Sequence, residues 1–232
     1  MDAPELKKWR VEKFAIIFFL IILSFLIVPY LVQNDYSYAV LQFCFFALMI
    51  LVVYSINSAP FLRYVEIACI IPFFIFNIVS LFLSSMTYIL IAYGFSVAFM
   101  LLVIFDLIKS FIYSPIINTN LIFGTLIVYF LAGVLWAKIY FVGNIIYPGS
   151  FDVVNKLIDF THITFKEAYN IQFNLVYYSF CVLTTLGLGD IVPIHNQAKA
   201  LTILEAMFGQ LFIAIVIAKL VATWHHNKLK NS

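Results

Sequence analysis

The chain has 232 residues, of which 65% are hydrophobic, 19% aromatic and only 10% charged, with a formal net charge of +2 and a mean hydropathy of +1.07. A globular chain ordinarily carries about 25% charged residues, so composition excludes a soluble domain and demands an integral membrane protein. The one basic run is Lys7, Lys8, Arg10 and Lys13, too little to argue for a nucleic-acid partner.

A helix crosses the hydrocarbon core with about 20 apolar residues, and six segments qualify: 13–32, 38–56, 61–83, 86–109, 118–142 and 197–224. The first follows a basic stretch, as a signal peptide would. Its apolar run from Phe14 to Leu31 is too long for one and no small-residue cleavage site follows, so a retained span is expected. Pro72 is expected to kink the third span. Arg63 with Glu66 and Asp106 with Lys109 are spaced i, i+3 near the cytoplasmic ends of the third and fourth spans. They read as snorkelling pairs or, alternatively, as part of a linker coupled to the last spans. Cys44, Cys69 and Cys181 lie in apolar stretches without ligand or disulfide spacing, and each is expected to be a buried, inert thiol.

Lysine and arginine set the orientation. An even number of spans puts both termini on the side holding Lys7, Lys8, Arg10, Lys13, Arg63, Lys109, Lys228 and Lys230. Both termini are thus expected in the cytoplasm, and segment 143–196, with its Pro148–Gly149 turn, is expected to enter from outside. No internal repeat, low-complexity tract or metal-ligand pair of the H-x-x-x-H kind is present, and no catalytic triad or carboxylate pair suggests an enzyme.

Within that segment stands "LTTLGLGD", residues 183–190. Two glycines two apart weaken any helix, and non-helical backbone at membrane depth is tolerated only where protein buries it or it lines a watery path. An extended strip points its carbonyls alternately left and right. Turning them all one way needs left-handed backbone at alternate residues, which glycine adopts at least cost. Gly187 and Gly189 alternate with Leu186 and Leu188 as this requires. The result is a ladder of oxygens from Thr185, Leu186, Gly187 and Leu188, joined by the Thr185 hydroxyl, which can replace the water shell of a cation. An ion needs oxygens on all sides, so four copies around an axis are expected, each chain having three identical partners. The preceding "FNLVYYSFCVLT" is about as long as a re-entrant half-helix, and the negative end of its dipole would favour a cation.

"YYSFCVLTTLGLGDIVP" resembles the pore helix, selectivity filter and outer mouth of potassium channels, and "LEAMFGQLFIAIVIAKLV" resembles the inner helix of prokaryotic members with a two-transmembrane pore. "YPGSF" looks like their turret. The resemblance covers about residues 118–224 and is most specific at 177–193. It implies an all-α, homotetrameric membrane protein with six spans and a re-entrant pore loop. The parts would be a four-helix domain over 1–117, a pore domain over 118–224 and a cytoplasmic tail over 225–232. The implied activity is passive conduction of potassium, with no cofactor beyond the permeant ion, in a cell membrane, bacterial if the prokaryotic likeness holds. Residues Thr185, Leu186, Gly187, Leu188 and Gly189 would form the filter and coordinate the ion, supported by Thr184, Tyr177, Tyr178, Cys181, Asp190 and Glu205. Gly209 falls at the family's hinge position, although a glycine there equally suits close packing. Gln210, Ile213 and Ile217 would line the cavity, or else face neighbouring helices.

The sequence departs from the family pattern in three places. Leu188 replaces the filter tyrosine whose hydroxyl ties filter to pore helix, which leaves a weakly selective cation channel as an alternative. Cys181 stands where some bacterial members carry the carboxylate that bonds the outer aspartate, so Asp190 needs another partner, for which Tyr177 is the candidate. The fourth span has no basic residue before Lys109. One charge moved through 100 mV yields about 2.3 kcal/mol, so steep voltage gating through that span is not expected. Glu205 is expected to brace the filter from behind or to meet head groups or Lys199. His162, His225 and His226 read as solvated. A potassium-uptake transporter is disfavoured because such chains carry four pore loops, usually with one filter glycine each. A non-conducting regulatory subunit and a separate cytoplasmic regulator stay open.

Overall fold

The computed structural model describes residues 4–31, 35–56, 60–83, 86–114, 119–152 and 165–230. Turret residue His162 lies outside them, and the side chains of His225 and His226 also lie outside the description. The described elements are seven helices: α1 Pro4–Leu31, α2 Asp35–Ser55, α3 Pro60–Leu83, α4 Met86–Tyr113, α5 Thr119–Ile146, α6 Phe165–Leu183 and α7 Asn196–Lys230. Among the described residues the only strand-like feature is one antiparallel bridge, Phe151 with Pro193. Among the described residues four helical stretches are long and apolar enough to cross a membrane: Pro60–Ser80, Thr87–Tyr113, Thr119–Ile146 and Asn196–Ala222. The apolar described parts of α1 and α2, Lys13–Ile27 and Phe43–Ser55, are shorter. The chain is an all-helical membrane protein.

α1 and α3 open on Pro4 and Pro60, whose fixed φ suits the first helical position, where no N–H is needed. α3 runs through Pro72 as one continuous helix. α5 is the hub, packing on α1, α4, α6 and α7 of its own chain. An aromatic chain crosses this hub. The Phe25 ring of α1 stands edge-on to Phe130 of α5 at 4.7 Å, and Phe130 meets Phe180 of α6 at 5.1 Å. α2, α3 and α4 form a second layer in which Phe46 stacks on Phe73 at 3.8 Å.

The expected snorkelling pairs are corrected by burial. Glu66 and Asp106 are both buried, and neither oxygen of Glu66 has a hydrogen-bond partner. An i, i+3 spacing fixes which helix face a pair shares, not whether that face meets water. Cys44 corrects a second expectation: it is exposed, while Cys69 is half-buried and Cys181 buried.

Candidate functional site

α6 starts well before the half-helix expected at residue 173. Its 19 residues span about 28 Å at 1.5 Å each. Glu167 in the first turn complements the helix dipole, and Ala168, Ile171, Gln172, Leu175, Val176 and Ser179 bury one continuous face. The C-terminal end at Leu183 delivers the glycine strip.

The strip is fastened by its amides. Thr184 N–H donates to Phe180 O at 3.0 Å, Thr185 N–H to Val182 O at 3.0 Å, and Leu186 N–H to Cys181 O at 2.8 Å, with Gly187 N–H reaching the same oxygen at 3.4 Å. These carbonyls are the orphan acceptors of the last helical turn. Among the described residues no hydrogen bond ends on the carbonyls of Leu186, Gly187 or Leu188. The backbone alternates: Thr185, Gly187 and Gly189 have φ of 58°, 58° and 78°. Sequence reasoning had the two glycines but not Thr185. A β-branched residue at positive φ is a genuine outlier of the kind that clusters at functional sites. Extending the glycine alternation one step back was the signal. The Thr185 hydroxyl donates to Thr184 O at 2.7 Å, leaving its lone pairs open, and the Thr184 hydroxyl donates to Phe180 O at 2.6 Å.

Behind the strip, the helices meet in a buried polar network. Glu205 of α7 is fully buried and is bonded by Tyr140 of α5 and by Ser179 of α6. The alternatives of a head-group contact or Lys199 therefore do not hold. Ser179 also donates to Gly133 O at 2.7 Å. One hydroxyl hydrogen then faces two acceptors, so Ser179 either shares it or accepts one from a protonated Glu205. Beside this network, the Tyr178 and Thr202 hydroxyls are hydrogen-bonded at 2.7 Å, and the Thr202 hydroxyl also lies within donating reach of Ala198 O at 2.9 Å.

Gly209 is packed under the end of α6. A Cβ built there would overlap the Leu183 carbonyl oxygen and lie 3.2 Å from its carbon and 3.3 Å from Leu183 Cα. That oxygen also accepts from the Tyr129 hydroxyl of α5 at 2.9 Å. Of the two roles open to Gly209, the structure displays close approach. Gln210, Ile213 and Ile217 are exposed on α7. Its lower end is tied elsewhere: Lys219 donates to the carbonyls of Phe111 and Ile112 in the last turn of α4.

At the mouth, Asp190 accepts from Ile191 N–H at 3.1 Å, and exposed Tyr177 neighbours both Asp190 and buried Cys181. The turn at Pro148–Gly149 closes with Ser150 N–H on Tyr147 O at 3.1 Å and Gly149 at φ 81°. Asp152 N–H to Val192 O and Ile194 N–H to Ser150 O, at 3.0 and 2.8 Å, clamp this turn to the segment after the strip. Among the described residues no group of three or more His, Cys, Asp or Glu gathers as metal ligands. The strip offers main-chain oxygens instead, the chemistry of a path for a desolvated cation.

Residues 116–224, a little under half of the chain, match the model of a protein family described as Ion channel. No curated protein and no solved structure matches the chain. The family match coincides with α5, α6, the strip and α7, and supports an ion channel.

Proposed function

We propose that four copies of the chain surround an axial pore and conduct potassium passively, with residues 185–189 as the selectivity filter, supported by Thr184 and Asp190. The observation that carries this reading is the left-handed backbone at Thr185, Gly187 and Gly189. It is combined with amides tied back to α6 and carbonyls left free. Ions would shed water into rings of these oxygens and advance by mutual repulsion between adjacent sites. Residues 118–224 form the pore domain, α6 enters from outside and returns through the filter, and residues 1–117 add four spans that bring the total to six. Both termini and the tail 225–232 face the cytoplasm of a cell membrane, and no reaction is catalysed. Tetramer formation is supported by the exposed Leu186 and Leu188, which neighbouring subunits would cover. Gln210, Ile213 and Ile217 then face the cavity.

The test is flux. Liposomes loaded with potassium and diluted into sodium should accumulate radiolabelled rubidium through the purified protein, which should run as four chains by native mass spectrometry. Equal accumulation of radiolabelled sodium would favour the second reading, a weakly selective cation channel. That alternative rests on Leu188, which is 59% exposed and has no hydroxyl to anchor the strip. Absence of flux from a stable tetramer would favour a regulatory subunit.

A further inference from the structure

A cavity of about 90 Å³ lies between α1, α2, α4, α5 and α6, lined by Lys138, Gln172, Tyr93 and the rings of Phe25 and Phe46. Lys138 is 95% buried (5% exposed) in the middle of an apolar helix. Its ammonium lies 4.3 Å from the centroid of the Tyr93 ring, and among the described residues it has no ion-pair partner. Gln172, 8% exposed, has neither its amide nitrogen nor its oxygen hydrogen-bonded. A buried cation without a counter-ion and a buried amide without partners are both costly, and an ionisable residue inside a span is a functional site by default. Lys138 sits eight residues before the end of α5 at Ile146, about 12 Å along the helix axis. With the end of α5 at the membrane surface, as the proposed topology has it, that is below the level of phospholipid phosphates, and the remaining lining is mostly phenylalanine and valine.

We propose that this cavity binds the carboxylate of a single-chain amphiphile such as a fatty acid. Lys138 pairs with the carboxylate, the Gln172 amide donates to it, and the chain lies against the phenylalanines of α1 and α2. A hydrated small anion would have to give up its water to an apolar wall, whereas a carboxylate on a chain arrives from lipid with that wall already matched. Because Gln172 and Val176 belong to α6, an occupant touches the helix that carries the strip. The site itself is independent of which ion the strip passes.

The test places the full chain in phosphatidylcholine nanodiscs with a diazirine-bearing hexadecanoate, followed by irradiation and peptide mapping. Labels are expected on the α1, α2, α5 and α6 segments around the cavity. Excess palmitate should displace the probe, while methyl palmitate and acetate should not. Lys138→Gln should lower labelling about tenfold or more, the scale of a lost hydrogen bond to a charged group, and Lys138→Arg should retain it. Gln172→Leu, which leaves the charge in place, should lower it less and guards against a folding defect in Lys138→Gln. Labels elsewhere, equal displacement by the methyl ester or by acetate alone, or full labelling in both Lys138→Gln and Gln172→Leu would overturn the proposal.

Discussion

α5 and α7 are both apolar and long enough to cross a membrane, yet their most apolar windows are 61% and 11% buried. α5 finds its partners on its own chain and carries the groups that hold the strip from behind, Tyr129, Gly133 and Tyr140. α7 touches the chain at Thr202, Glu205, Gly209, Phe212 and Lys219 and leaves Ile203, Leu204, Met207, Leu211, Ile213 and Ile217 uncovered. One helix is therefore specified by the fold of a single chain, while the other leaves most of its surface to be covered from outside the chain. The contrast places the burden of shape on a few α7 contacts.

Gly209→Ala strikes the tightest of those contacts and should have the largest effect. The added carbon meets backbone, which cannot rotate away, and overpacking costs about 1–3 kcal/mol. A lowered melting temperature together with lost flux is expected, and a fully conducting variant of unchanged stability would return Gly209 to the hinge role. Glu205→Leu should come next, since it takes the carboxylate acceptor from the Tyr140 hydroxyl at about 1–3 kcal/mol for an unsatisfied group, while Ser179 keeps Gly133 O. Glu205→Gln, able to accept from Tyr140 and donate to Ser179, should be tolerated. Equal damage from both, measured by melting temperature, would show that the ionised carboxylate is required.

Replacing the strip's own residue probes its freedom rather than its support. Leu188→Tyr should raise the potassium-to-sodium permeability ratio if the missing hydroxyl loosens the strip, and an unchanged ratio refutes that mechanism. On the uncovered side of α7, cysteine placed at Ile213 or Ile217 in a background lacking Cys44, Cys69 and Cys181 should let a charged thiol reagent block current. Cysteine at Ile215 should not, and the reverse pattern would rotate the helix. The smallest effect is expected from Tyr129→Phe, which removes one hydrogen bond to Leu183 O worth about 0.5–1.5 kcal/mol. A loss as large as that of Gly209→Ala would mean the hydroxyl does more than fill an orphan acceptor.

Much of this was legible in the sequence because lipid leaves few options. Apolar runs announced the helices, and a glycine pair where helix cannot persist announced the strip. Glu205 was legible as a brace, since a lone acid in a span has to find donors. The rest depended on tertiary context. The left-handed Thr185 is imposed by its neighbours, no propensity favouring it. The early start of α6 comes from a buried face that begins at Ala168, before the apolar stretch that drew attention. The overlap at Gly209 is visible only once α7 lies against Leu183. Lys138 was missed although its signal was plain, a single lysine in the fifth apolar span. The voltage expectation rests on sequence alone: a steep conductance–voltage curve surviving Lys109→Gln would contradict it.

The most direct measurement is the reversal potential of the purified protein in a planar bilayer, with potassium on one side and sodium on the other. A value near the potassium equilibrium potential is the expected result and would mean that the strip selects despite Leu188. A value near zero, with clear current, would contradict potassium selectivity.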